Sequence, residues 1–262
     1  MVCTVTKDSS EPGSEKPSDA VSASAGRALV ALVREQLPRE FSGNEATWIP
    51  FGTAVIARMA DMVESIFLLM DAGHDLDGSV LVRVLYEAVV KYCWISIDPR
   101  ERTAAWQSDA YSWTRKLHND LVDYDAGFLT DQELEEFAEA RALPPLLQLA
   151  DEVDTHWGAR IVGFTPPQQG QGGIVTLRGL YNPMYRTLSE AVHMRPEATR
   201  ANLDLSESPW RVSLGGRVEH AFWWGLPVWL YVQALLVCHE QVGWPDPDQV
   251  RAINNSMYDV GA

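Results

Sequence analysis

Positive charge is scarce in this chain. It has 21 Lys and Arg against 36 Asp and Glu, a formal net charge of −15. A nonspecific nucleic-acid binder gains much of its affinity by displacing counterions from phosphates. The average field here repels a polyanion, so DNA is not an expected partner. RNA would need a local basic cleft. Cysteine is scarce as well: Cys3, Cys93 and Cys238 are odd in number, lie far apart and form no C-x-x-C pair. A secreted disulfide framework is excluded, and Cys93 and Cys238, inside apolar runs, read as buried free thiols. No basic-then-apolar leader opens the sequence, so a cytoplasmic location is expected. Period-two alternation is missing too, the best stretch, 174–177, being too short for a strand. No internal repeat is found. Gly170, Gly172 and Gly173 are followed by no Lys-Ser or Lys-Thr, which excludes a phosphate-cradling loop, and no nucleophile elbow occurs.

What is present is apolar and helical. Hydrophobic residues make up 46% of the 262, and ten are Trp. A chain of this length buries a core without disulfides or metals. Residues 1–25 are Ser-, Pro-, Glu- and Lys-rich with almost nothing large to bury, which predicts a disordered tail. Residues 26–262 are expected to form a single helical domain, with order beginning at Gly26.

Helical signals follow one another from there. The stretch 27–37 is a first candidate. Val55, Met59, Met62, Ile66 and Leu69 form one stripe over 53–72. Residues 79–97, nearly all apolar, mark a central helix. Asp98-Pro99-Arg100-Glu101 opens the next with a cap, a proline at the first position and a capping-box glutamate. Trp106, Ala110, Trp113, Leu117 and Leu121 are its expected inward stripe. Thr130 and Glu133 repeat the capping logic for a helix through Arg141, and another runs from 146 to 157 before Gly158. A long loop over 159–182 carries five glycines, Pro166 and Pro167. Asn182-Pro183 then restarts a helix that ends near His193. A second loop covers 195–215, an apolar helix spans 218–242, and a short one follows Pro245.

The segment 221–238 has the length of a membrane span. It contains Pro227 and Gln233 and is flanked by Glu219, Glu240, Asp246 and Asp248, so the reading is a buried helix, not a membrane one. The fold class is therefore all-α, a helical bundle with two long loops.

Three groups of residues can carry chemistry. Arg83, Glu87 and Lys91 recur every four positions, sharing a face with Val80, Val90 and Trp94. Charges so bordered are partly buried and paired, and serve either as an ion-pair network or as the wall of a ligand cleft. In the second group, Arg186, Ser189 and His193 fall on one side of a helix. A His that exchanges protons near neutral pH, beside an Arg that stabilises phosphorane-like charge, suffices for metal-free RNA cleavage through the 2′-hydroxyl. The bland alternative is that His193 interacts with the helix C-terminus and Arg186 pairs with Glu190. In the third, Glu190 and His193 form one E-x-x-H, to which Glu64, Glu87 or the segment Cys238-His239-Glu240 could add ligands. A di-iron bundle needs a second E-x-x-H and the sequence has none, so no metal or other cofactor is assigned.

The segment Leu81-Val82-Arg83-Val84-Leu85-Tyr86-Glu87, then Trp94 and Asp98-Pro99, with Tyr185, Ser189 and Val192-His193 later, resembles a family of bacterial helical proteins catalogued only as a domain of unknown function. Its signatures look like R-x-x-x-E and Y-x-x-x-S-x-x-V-H, and the resemblance covers roughly residues 50–200. More distantly the chain resembles the HEPN superfamily of bacterial defence and toxin proteins. That resemblance implies a helical bundle, an Arg-to-His motif (here Arg186 and His193) and a possible homodimer sharing a ribonuclease site. Thr187 departs from the Asn or Asp that often follows the Arg. The expected function is a HEPN-like, metal-independent ribonuclease or an inactive relative, with Arg186, Ser189 and His193 as catalytic candidates. An alternative is a binding module that holds a small molecule or partner helix in a Trp-rich cleft, through Arg83, Glu87, Trp94, Tyr185 and Glu190. A metal-dependent oxidative enzyme is the third.

Overall fold

The computed structural model describes residues 19–38, 40–41, 48–124, 126–158, 160–161, 176–186, 203–204, 211–212 and 222–258. The fold is all-α. Its helices are α1 Asp19–Gln36, α2 Trp48–Asp71, α3 Asp75–Ile95, α4 Pro99–Val122, α5 Asp131–Glu136, α6 Leu146–Trp157, the single turn α7 Leu177–Leu180, α8 Phe222–Val242 and α9 Pro247–Ser256. Among the described residues the only β structure is a ladder pairing Leu203 with Val212 and Asp204 with Arg211, inside the expected second loop.

The core is made where α1, α2, α3 and α8 pack together, with α6 covering the far side of α3. Leu29, Ile56, Met59, Ile66, Leu85, Val89, Leu230 and Leu235 are all fully enclosed. The segment expected to be a buried helix is α8, which packs against α1, α2 and α3. No helix among the described residues is long and apolar enough to cross a membrane. Among the described aromatic side chains of α8 the enclosed one is Tyr231, whose hydroxyl donates to the Ile56 carbonyl at 3.2 Å, whereas Trp229 is only partly buried. Cys93 and Cys238 are buried free thiols, and burial pushes the Cys238 thiol up to about 12.

The first helix begins at Asp19, seven residues before the expected start at Gly26. Ser22, Ala23, Ala25 and Gly26 are buried in it. Small residues carry little hydropathy, which made this stretch read as tail, but they let helices approach closely. A Cβ on Gly26 would lie 2.1 Å from the Phe67 ring, so α1 sits against α2 at a distance that only glycine permits. Residues 1–18 of the expected tail lie outside the described residues.

Helix α4 opens as expected, with the Asp98 carboxylate accepting from the Glu101 amide at 3.2 Å. Its stripe does not face the core. Trp106 meets Phe51 of α2, but Ala110 is exposed and Trp113 keeps 65% of its surface. The one buried residue is His118, whose Nδ1 accepts from the amides of Phe128 and Leu129 at 2.9 and 2.8 Å. Helix α5 has the full Thr130–Glu133 capping box but stops at Glu136 instead of Arg141. The Arg115 guanidinium takes the carbonyls of Phe137 and Ala138 at 2.8 and 2.5 Å, so they serve a tertiary donor.

A chain that begins at Asp19 should melt above one that begins at Gly26, which lacks the first two turns of α1. The expected gap is roughly 2–4 °C, the shift that about 1 kcal/mol produces in a chain of this size. Equal midpoints in thermal circular dichroism would show that Ser22, Ala23 and Ala25 stabilise nothing.

Candidate functional site

Helix α3 is largely enclosed by its neighbours, and its open side carries Arg83, Glu87 and Lys91 together with the exposed Val84. Val90 is fully buried beside that face and Trp94 nearly so. The Arg83 Nε lies 3.4 Å from Glu87 Oε1, and the two side chains keep 17% and 32% of their surface. A pair this enclosed is screened by water less than an ordinary surface i,i+4 pair. Arg83 has a second commitment. Its Nη2 donates to the Tyr185 hydroxyl at 2.9 Å, and the guanidinium lies 4.4 Å from the centre of the Tyr185 ring. Arginine suits such a position, since its planar group can stack and donate together.

Tyr185 is held from both sides. It stacks on Tyr181 at 4.9 Å and 12°, and tilts against Tyr86 at 6.4 Å. Tyr181–Arg186 forms a π-helical turn. Pro183 has no amide to give to an ordinary helical ladder, and wider turns of this kind occur often at functional sites. The helical segment starts at Leu177, not at Asn182, because Thr176 caps it by accepting from the Gly179 amide.

Tertiary contacts set that start. Asp154 of α6 accepts from the amides of Leu177 and Arg178 at 3.0 and 2.8 Å. The buried Tyr86 hydroxyl donates to the Leu177 carbonyl at 2.8 Å, and Arg178 pairs with Asp151 at 2.7 Å. Burial pushes the Asp154 carboxyl up from its ordinary value, opposed by hydrogen bonds from Arg178, Leu177 and Thr176. Burial also pushes the Tyr86 hydroxyl far up, so it acts as a fixed neutral donor.

Three of the expected binding residues, Arg83, Glu87 and Tyr185, therefore converge. Trp94 does not join them. It lies two turns further along α3, roughly 10 Å away. There its indole NH donates to Glu152 Oε2 at 2.7 Å, under the Arg102 guanidinium at 4.5 Å. Arg102 pairs with the same carboxylate at 3.2 Å. This second cluster borders an open cleft of about 490 Å³ between the start of α4 and residues 141–144, with Arg141 at its rim. The tryptophans do not share one cleft among the described residues: Trp157 is buried with its NH on the Cys93 carbonyl, and Trp224 stacks on Phe67.

Arg186 closes the π-helical turn, directly after Tyr185. Its side chain lies outside the described residues, as do Ser189, Glu190 and His193 entirely. Of the carboxylates considered for a metal, Glu64 is held by both Arg34 nitrogens at 2.6 and 3.1 Å, which keeps it below its ordinary value. Glu87 is held by Arg83. No group of three His, Cys, Asp or Glu that could hold a metal occurs among the described residues.

Sequence reasoning missed Asp154, Tyr86 and Tyr181. The i,i+4 spacing of Tyr181 and Tyr185 was a visible signal for an aromatic pair. Asp154 gave none, because the amides it accepts lie 23 and 24 residues on, beyond the Gly- and Pro-rich segment.

Residues 52–209 match the model of a family described as a family of unknown function, DUF5677. The match covers more than half of the chain and both segments that meet at Arg83 and Tyr185. No curated protein and no solved structure matches.

Arg83 and Glu87 should prove interdependent. In a double-mutant cycle of Arg83→Met and Glu87→Gln, each single change should destabilise, and the double change should cost less than their sum by about 0.5 kcal/mol or more. Additivity in urea denaturation would mean that the pair behaves as a solvated surface one.

Proposed function

The chain belongs to the DUF5677 family, and on that premise we propose that its functional segment is the one running from Tyr185 to His193, of which Arg83 holds the first residue, with metal-independent RNA cleavage of the HEPN-like kind as its activity. One observation carries the reading: the Arg of R-x-x-x-E holds the Tyr that opens Y-x-x-x-S-x-x-V-H, through a 2.9 Å hydrogen bond and a stacked ring. The chemistry of the two motifs is thereby divided. Arg83 is engaged by Glu87 and Tyr185 and acts as a positioning residue. Arg186, Ser189 and His193 are left as the groups that meet a substrate.

The reaction needs few parts. His193 takes the proton from a ribose 2′-hydroxyl, and the freed oxygen attacks the adjacent phosphorus. Arg186 stabilises the charge gathered in the phosphorane. The bond to the 5′-oxygen breaks, leaving a 2′,3′-cyclic phosphate and, once protonated, a 5′-hydroxyl. Ser189 donates a hydrogen bond to a phosphate oxygen. With a net charge of −15 the chain does not attract RNA as a whole, so selectivity would rest on local cations such as Arg186.

A second reading, a module that binds a small molecule, has its own observation in the open cleft beside Trp94 and Arg141. A cleft of about 490 Å³ falls within the usual range for small-molecule sites.

His193→Ala separates the two. Purified wild-type chain should cleave single-stranded RNA in the presence of chelator and leave 2′,3′-cyclic phosphate ends. His193→Ala should lower that rate by about 10²–10⁴-fold, the usual weight of a general acid or base, with no change in melting temperature. Absence of cleavage in the wild type would sink the nuclease reading. A loss of stability in His193→Ala with no catalytic effect would return the histidine to a structural role.

A further inference from the structure

The far half of α4 stands away from the core and is braced on one side only. There Tyr111 stacks on Phe137 at 4.4 Å and 8°, and Arg115 holds the carbonyls that follow α5. Ser108 and Asp109 accept the amides of Arg141 and Leu143 at 2.8 and 2.9 Å, and His118 accepts those of Phe128 and Leu129. Residues 128–143 thus form a strap along one face of the helix. The opposite face carries Trp106, Trp113 and Leu117, spaced by seven and four, so that they lie in one line. Trp106 is covered by Phe51. Beyond it the line is open: Trp113 keeps 65% of its surface, and Tyr124, just past the helix end, keeps 80%. The half-buried Leu117 links the two exposed aromatics into one apolar line, and such a line on a braced helix marks a contact surface.

Charge specifies what covers it. Lys116 and Asp120 flank the line, both exposed, one helical turn apart. Neither forms an ion pair with the other or with any other described residue. In an antiparallel α4 pair whose two-fold axis passes level with residue 118, each Lys116 faces the partner subunit's Asp120. The same axis brings each Trp113 to within one residue, about 1.5 Å along the helix, of the level of the partner subunit's Tyr124. Both matches occur twice, as a two-fold interface requires. A like-oriented pair would set Lys116 against its own kind.

We infer that the Trp113–Tyr124 face of α4 is a homodimer interface, occupied by α4 of a second copy of this chain in antiparallel orientation. This inference rests on the exposed line and its flanking charges and is independent of the ribonuclease reading, which could fail while the dimer stands.

Light scattering on a sizing column tests it. The wild-type chain should elute at twice its monomer mass. Trp113→Glu should shift it to the monomer with an unchanged melting profile, because that side chain has little to lose within its own subunit. Lys116→Asp, which places two acids opposite each other, should weaken the dimer at least tenfold. The double variant Lys116→Asp with Asp120→Lys should recover it, since the swapped pair is again complementary. A wild-type monomer at the highest soluble concentration overturns the inference. So does a dimer indifferent to Trp113→Glu, or a monomer whose Trp113 face binds a different protein.

Discussion

The peptide groups of Leu177 anchor the turn that carries Tyr181 and Tyr185 to α3 and α6. The carbonyl receives the buried Tyr86 hydroxyl from α3, and the amide is taken by Asp154 of α6. The side chain itself is fully enclosed. Without these contacts nothing local would hold the turn that follows, because a four-residue helix cannot repay its own nucleation. The π-helical turn with Tyr181 and Tyr185 therefore inherits its position from Leu177. Whatever chemistry follows Arg186 depends on that position in turn.

The same arrangement explains why α3 keeps charges on an otherwise enclosed helix. A guanidinium in such a place needs partners on every side, and Arg83 has a carboxylate along its own helix and an aromatic hydroxyl from the returning segment. Replacing it by an apolar residue would fill the space but could not hold Tyr185 by its hydroxyl. The ion pair thus specifies where the second segment docks. The Trp94–Arg102–Glu152 cluster repeats the device about three turns past Arg83, joining α3, α4 and α6 through one indole and one ion pair.

Helix α4 shows the opposite logic. It is braced by side chains that take backbone amides and carbonyls from the strap, so its far half is held by polar contacts. That leaves its apolar line free. A helix packed by its apolar line would have needed no such bracing, and the two features explain each other.

Local signals were legible in the residues alone. The Thr130–Glu133 capping box and the Asp98-Pro99 start follow from chemistry between neighbours three positions apart, and α6 starts directly after Pro144-Pro145. So does the all-α class, because periodicity is a local property. The pairing of Arg83 with Glu87 was readable for the same reason, being one turn of one helix. The start of α1 was not, since Ser22, Ala23, Ala25 and Gly26 matter only through the neighbours that they let approach, as Gly26 admits the Phe67 ring. The early end of α5 was decided by Arg115, and the helical restart at Leu177 by Asp154 and Tyr86, all distant in sequence. An apolar stripe announces that a helix will cover something without saying what, which is why Trp106 found Phe51 while Trp113 stayed in solvent. Periodicity and capping are written between near neighbours; the meeting of Arg83 with Tyr185, 102 positions apart, had to wait for the packed chain to bring them together.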